Sequence, residues 1–198
     1  MSNSALIIGA GPAGLMAAER LLAQGAQVQI FDAKPSIGRK FLMAGKSGLN
    51  LTKNEPLAIF QNQYYDASAQ LAPMLNDFGP ADVMRWANAM GADVFSGSSG
   101  RVFPKAMKAS PLLRAWLLRL HNAGAELRVK SRWKTLSKDG CFGFETPSGP
   151  AQITPDIAVL ALGGGSWKKL GSDGQWIDIL AQHGVASAPF EPSNAALQ

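Results

Sequence analysis

The chain has 198 residues, 46% of them hydrophobic, and its 19 basic and 14 acidic side chains leave a formal charge of +5. That length suits one ordinary domain or slightly more with a real core, and the single cysteine, Cys141, excludes an internal disulfide, a dithiol redox pair and a cysteine zinc cluster. No apolar run reaches the roughly 18 residues of a membrane helix and no secretion signal opens the chain, so a cytoplasmic protein without a membrane partner is expected.

Ala5 to Ile8 is a short apolar run suited to a strand buried on both faces. It leads into Gly9-Ala10-Gly11-Pro12-Ala13-Gly14, a glycine fingerprint between strand and helix. In such a corner Gly9 permits the tight turn, Gly11 lets the backbone approach a pyrophosphate, and Gly14 lets the helix pack closely on the strand. Pro12 suits the first helical turn, where its missing N–H costs nothing. The helix runs to about Gln24 with Leu15, Ala18, Leu21 and Leu22 on one face, and Gly25 stops it. Gln27 to Phe31 reads as the second strand. Asp32 ends it, 18 residues after Gly14, where a carboxylate can bond the hydroxyls of a ribose and disfavours a 2′-phosphate. A glycine-rich turn can also bind nothing; strand, helix and acid in register favour a dinucleotide.

Lys34 to Thr52 is a Gly- and Lys-rich stretch with little periodicity, expected to be a loop. The basic residues are otherwise scattered, with a local concentration at Lys34, Arg39, Lys40, Lys46 and Lys53. These form either a solvated surface or a ring about an anionic cofactor, and neither reading asks for nucleic acid. Helices are predicted over Asp66 to Phe78 and Pro80 to Met90, then a hairpin joining Val94-Phe95 to Arg101-Val102-Phe103. Ser110 as cap and Gly124 as stop bound a strong helix carrying Leu112, Leu113, Trp116, Leu117 and Leu120. Glu126 to Lys130 would be the third parallel strand.

Ser131 to Leu136, Gly140 to Glu145 and Ala151 to Ile153 read as an antiparallel meander, after which Ile157 to Leu162 returns as an apolar strand ending in Gly163-Gly164-Gly165. This predicts an α/β, three-layer Rossmann-like FAD/NAD(P)-binding domain with a parallel sheet and an antiparallel β-meander, similar to the glutathione-reductase-like flavoproteins. His121 and His183 fall near helix ends, Asp173 is placed to cap the last helix, and Trp86, Trp116 and Trp167 suggest packing. No metal-ligand set or Ser-His-Asp arrangement stands out.

Gly38 to Thr52, Gly100-Arg101-Val102-Phe103-Pro104, Gly163-Gly164-Gly165-Ser166-Trp167 and Gly171-Ser172-Asp173-Gly174 resemble the signatures of the HI0933-like flavoproteins, a family of presumed NAD(P)/FAD-dependent oxidoreductases. Where that family usually carries Arg-Cys-Asn this chain has Gly48-Leu49-Asn50, which suggests a variant branch and carries over no thiol or guanidinium role. The resemblance implies FAD as cofactor, NAD(P)H as electron donor and a small-molecule substrate. It implies that Gly9, Gly11 and Gly14 hold the pyrophosphate and Asp32 the adenosine ribose, with Pro12, Ala13, Ala33 and Lys34 also among the cofactor-binding residues. Arg39 and Lys40 would neutralise phosphate, Gly45 and Asn50 would border the flavin and ribityl chain, and Ala161, Gly163 and Gly164 would lie against the cofactor from the other side. Strand position puts Arg132 or Trp133 near the adenine, with a plain meander side chain as the equal alternative for Trp133. Arg101 and Lys105 are either a brace for a reduced flavin or solvated surface.

Proteins of this family are about twice as long, with a substrate domain inserted beyond the position of Gln198. The expected organisation is therefore a dinucleotide-binding domain over 1–184, with a helical and hairpin insertion at about 53–109, and a truncated entry into an absent substrate domain over 185–198. A noncatalytic FAD- or ADP-binding remnant is the alternative to an active oxidoreductase.

Overall fold

A computed structural model describes residues 3–45 and 47–191; Lys46 of the basic stretch and 192–198 of the expected domain entry lie outside the described residues. The chain divides into two compact units, one formed by the chain up to Lys40 and from Leu120 onward, the other by Phe41 to Arg119.

In the first unit, strand β1 (Ser4–Ile8) is followed by helix α1 (Pro12–Ala23) and strand β2 (Gln27–Phe31). Helix α1 ends where the sequence predicts: the Gly25 and Ala26 N–H groups donate back to Leu22 and Leu21, and Gly25 takes a φ of +82°.

The second unit holds α2 (Arg39–Ala44), whose first two residues belong to the other unit, then β3 (Thr52–Lys53), α3 (Leu57–Asn62), α4 (Ser68–Asp77) and α5 (Pro80–Asn88). It continues with β4 (Val94–Ser96), β5 (Arg101–Pro104) and α6 (Ala109–Asn122), whose last turn belongs to the first unit. The predicted hairpin is present and gains β3 as a third antiparallel strand, in the order β3-β5-β4. Helix α2 and the first residue of strand β3 fall in the stretch expected to be a loop. Six and two residues are too short to display a hydrophobic period, and β3 exists through its pairing with β5. Residues 65–67 form a separate 3-10 turn, so α4 begins at Ser68 instead of Asp66. Helix α6 begins at Ala109, which puts Ser110 inside the first turn and not at the cap. The core of this unit gathers Leu49, Ala109 and Leu112 with Phe41, Leu51 and Trp86 beside them, and Trp86 meets Trp116 edge-on at 4.7 Å.

Back in the first unit come β6 (Glu126–Arg128), the meander β7 (Arg132–Leu136), β8 (Phe142–Thr146) and β9 (Gly149–Ile153), then β10 (Ile157–Leu160) and α7 (Trp176–Ala181). The main sheet is wholly parallel in the order β10-β1-β2-β6. Alternation along β1 explains the layering. Leu6 and Ile8 join Phe31, Trp133, Phe142 and Phe144 in the core under the meander, whereas Ile7 faces Gly14 of α1. Helix, parallel sheet and meander are the three layers of a Rossmann-type fold.

The N-terminal ends of β1 and β10 are tied together. The Ser4 N–H and hydroxyl both donate to Asp156 Oδ2 at 2.7 Å, and the Asp156 N–H donates to Ser4 Oγ at 3.0 Å. The Ser4 N–H, then its hydroxyl, hold the Asp156 carboxyl below the usual aspartate range. A group with a depressed folded pKa stabilises the fold above its unfolded pKa and loses that contribution as pH falls through the folded value. Asp156→Ala is therefore expected to lower the urea midpoint at pH 7. The difference from wild type should close as pH falls below the ordinary aspartate value of 3.8; a difference independent of pH would contradict this account.

Candidate functional site

The register of the sheet brings Ile8, Phe31 and Leu160 side by side at the C-terminal ends of β1, β2 and β10. Chain connections leave β1 toward β2 on one side and arrive at β10 on the other. A parallel sheet opens a crevice at such a switch point, and ligands of open α/β sheets bind there.

The glycine corner sits at this point. Gly9 has a φ of +107°, its N–H donates to Phe31 O at 2.7 Å, and a Cβ there would stand 2.3 Å from Ala161 O. A Cβ on Gly14 would stand 1.9 Å from Gly9 O, so α1 approaches the corner more closely than any side chain permits. Gly11 differs. Its backbone is extended (φ −81°, ψ 179°) and a Cβ on it would meet nothing within 4 Å. Pro12 opens the helix and no side chain caps it. The first-turn N–H groups of Ala13 and Gly14 thus have no intrahelical acceptor, and the positive end of the helix dipole lies at the open space beside Gly11.

Asp32 braces the corner: Oδ2 accepts the Ala10 N–H and Oδ1 accepts the Lys34 N–H, both at 2.8 Å. Each carboxylate oxygen retains a lone pair for one more donor. Arg39 donates from Nη1 to Ser36 Oγ at 2.9 Å, and its Nε is buried without a hydrogen-bond partner. Lys40 Nζ donates to Ser166 Oγ at 3.0 Å. The aliphatic stem of Lys34 runs beside Gly171, where a Cβ would lie 3.3 Å from it.

A cavity of about 760 Å³ occupies the crevice. Gly9, Gly11, Pro12 and Ala13 line it from the corner, Asp32, Ala33 and Lys34 from the end of β2, Arg39 and Lys40 from the start of α2, and Ala161 and Gly163 from the exit of β10. Gly14 stands behind the corner. Gly164 faces the Phe190 ring, with its Cβ position 3.6 Å from that ring. Gly45 and Asn50 belong to the second unit, where Gly45 packs against Ala109 (2.6 Å from its Cβ position) and Asn50 is exposed. Trp133 lines the cavity but is 7% exposed, and its indole N–H donates to Thr135 O at 2.8 Å, so it serves as an apolar wall.

Several lining residues escaped sequence reasoning. Trp176 donates its indole N–H to Gly163 O at 3.0 Å and lines the cavity with Ser172 and Gln175. Only its position two residues after a glycine motif hinted at this. Asp173 does not cap α7, which starts at Trp176 with no side-chain cap. Its carboxylate instead accepts the Gln175 N–H at 3.3 Å and pairs with Arg132 at 3.6 Å, across the cavity rim. His183 Nε2 lies 2.7 Å from Leu136 O and ties the end of α7 to β7. Arg101 and His121 are exposed, and Lys105 forms an exposed ion pair with Asp93. Among the described residues no helix is long and apolar enough to cross a membrane, and no group of three or more His, Cys, Asp or Glu could hold a metal.

The donor set suits a diphosphate-bearing group. An anion over Gly11 would meet free helix amides in a crevice also lined by Arg39 and Lys40, while a hydroxyl near Asp32 would find a carboxylate already fixed in place.

Comparison with known proteins bears on the family and the fold. Residues 3–190 match the HI0933-like protein Rossmann domain. The chain is 28% identical over 196 residues to a 3-dehydro-bile acid delta(4,6)-reductase of Clostridium scindens, an alignment covering 97% of this chain and 46% of that enzyme. It thus spans about half the length of that relative. Among solved structures, a flavocytochrome c3 fumarate reductase in its open conformation superposes with a TM-score of 0.63 at 22% identity, over 82% of this chain and 34% of that one. THI4 of Thermovibrio ammonificans superposes with a TM-score of 0.58 at 16% identity, over 93% and 64%. At such identities the likeness concerns the fold. From the glycine corner to the exit of β10, this chain belongs to the HI0933-like family and forms its Rossmann domain.

Proposed function

We propose that the chain is the FAD-binding part of an oxidoreductase that draws on NAD(P)H and reduces a small organic acceptor, a conjugated carbonyl or alkene. The observation that carries this reading is the open space over Gly11 at an uncapped helix start, in a crevice also lined by Asp32, Arg39 and Lys40. Family membership supports the flavin. The C. scindens relative, named for the reduction of a 3-dehydro bile acid, supports a small organic acceptor.

The amides of Ala13 and Gly14 receive the diphosphate, with Gly11 leaving room for it. Asp32 accepts the hydroxyls of the adenosine ribose and keeps the glycine corner in shape through the Ala10 N–H. Lys34, Arg39 and Lys40 balance the phosphate charge. Ala161, Gly163 and Gly164 bring bare backbone to the side reached from β10. Trp133, with Ile8 and Phe31 beside it, gives the cavity an apolar back wall that keeps water from those charges and so strengthens their attraction. FAD held by these residues would supply the hydride and electron transfer chemistry.

Titrating the purified chain with FAD, followed by flavin fluorescence and the visible spectrum, tests the reading. Binding at or below about 10 µM is expected, roughly −7 kcal/mol, with ADP competing. Bleaching of the bound flavin by NADH or NADPH supports the redox role. A chain that binds neither FAD nor ADP overturns the proposal.

Two glycine variants separate site from scaffold. Gly11→Val fits ordinary backbone and open space, so the urea midpoint should stay close to wild type while FAD affinity falls at least about tenfold, or 1.4 kcal/mol. Gly14→Ala drives a methyl into Gly9 O and is expected to destabilise the fold by about 2 kcal/mol or more. Equal unfolding midpoints for Gly14→Ala and wild type would contradict the close packing described.

A further inference from the structure

The glycine loop after β10 continues past the cavity wall, and a phenyl ring lies on it. A Cβ on Gly165 would stand 2.9 Å from Phe190 Cδ2, one on Gly174 2.8 Å from Cε2, and one on Gly164 3.6 Å from Cε1. Three positions without side chains thus form a flat seat for one ring. Trp176, which lines the cavity and is bonded to Gly163 O, meets that ring edge-on, with centroids 6.0 Å apart and planes at 78°. The seat therefore adjoins the cavity through Gly163 and Trp176.

Its occupant is only half covered. Phe190 is 49% exposed, and residues 186–191 run without helix or strand. A ring placed for core packing is normally closed in on both faces. Here the ring rests on glycines and on the edge of Trp176 while about half of the residue stays exposed.

We infer that Phe190 is a displaceable stopper. It fills the seat of a planar heteroaromatic ring, carried by the ligand whose diphosphate lies over Gly11, and yields the seat when that ligand binds. This inference rests on the dinucleotide reading of the cavity. Moving Phe190 extends the cavity along bare backbone from Gly163 to Gly164, Gly165 and Gly174, with the Trp176 indole as a side wall. A ligand ending at its diphosphate leaves Phe190 where it is. Occupancy by Phe190 then lowers affinity selectively for ligands that carry the second ring system.

The test compares wild type, Phe190→Ala and Phe190→Leu with two probes, ADP and FAD, by calorimetric titration, together with hydrogen exchange of the 185–191 segment. Phe190→Ala is expected to bind FAD at least fivefold more tightly than wild type, with Phe190→Leu between them and ADP affinity the same in all three. In wild type, FAD but not ADP should speed exchange in the segment. If Phe190→Ala is unstable by thermal melt, Phe190→Leu carries the comparison with the same expected sign. Unchanged or weakened FAD binding in the variants, with ADP still bound, overturns the stopper and leaves the diphosphate site standing. Failure of both probes to bind any of the proteins overturns both readings.

Discussion

The closeness of α1 to the end of β1 is the constraint on which the site depends. A methyl group at Gly14 would overlap the Gly9 carbonyl, and a methyl at Gly9 would overlap that of Ala161. Two strands and a helix therefore converge on a corner built of bare backbone. Convergence points the first amides of α1 into the crevice at the carboxyl ends of the strands, and it leaves the space over Gly11 open. The remaining parts either hold this corner in place or respond to its charge.

Asp32 does the first. A carboxylate that accepts the Ala10 N–H across the corner and the Lys34 N–H at the end of β2 locks the two loops together before any ligand arrives. Preorganisation of this kind reduces the ordering cost of binding. The charges do the second. Uncapped helix amides, Arg39 and Lys40 produce a positive field in a partly apolar crevice, where charge-assisted hydrogen bonds to an anion are strong. Part of the chain's excess of basic residues is gathered here, with Lys34, Arg39 and Lys40 lining the crevice.

What the sequence showed and what it hid follow from the range of the interactions. The corner, α1 and β2 carry their signals within short stretches of sequence, as glycine spacing, a helical period and a terminal acid, although the corner itself closes against distant Ala161. The meander and the apolar strand β10 were legible for the same reason, as alternating or continuous apolar runs between turn residues. Helix α2 and strand β3 were not. They are shorter than one readable period and exist because of partners elsewhere in the chain. Ser110 had the residue type of a cap, yet α6 starts one residue before it. Side-chain roles were hidden most deeply. Asp173 turns toward Arg132, Trp133 sinks into the core under the meander, and Trp176 and Phe190 reach the glycine loop through folding of the chain after β10. No local pattern encodes those meetings.

The measurement that most directly tests the account is a two-dimensional NMR titration of the isotope-labelled chain with ADP. The account predicts that the largest shifts fall on the amides of Gly11, Ala13 and Gly14 and on the Arg39 Nε–H, which should become slow to exchange as it gains an acceptor. Shifts confined to exposed lysines such as Lys168 and Lys169, with the corner amides unmoved, would contradict it.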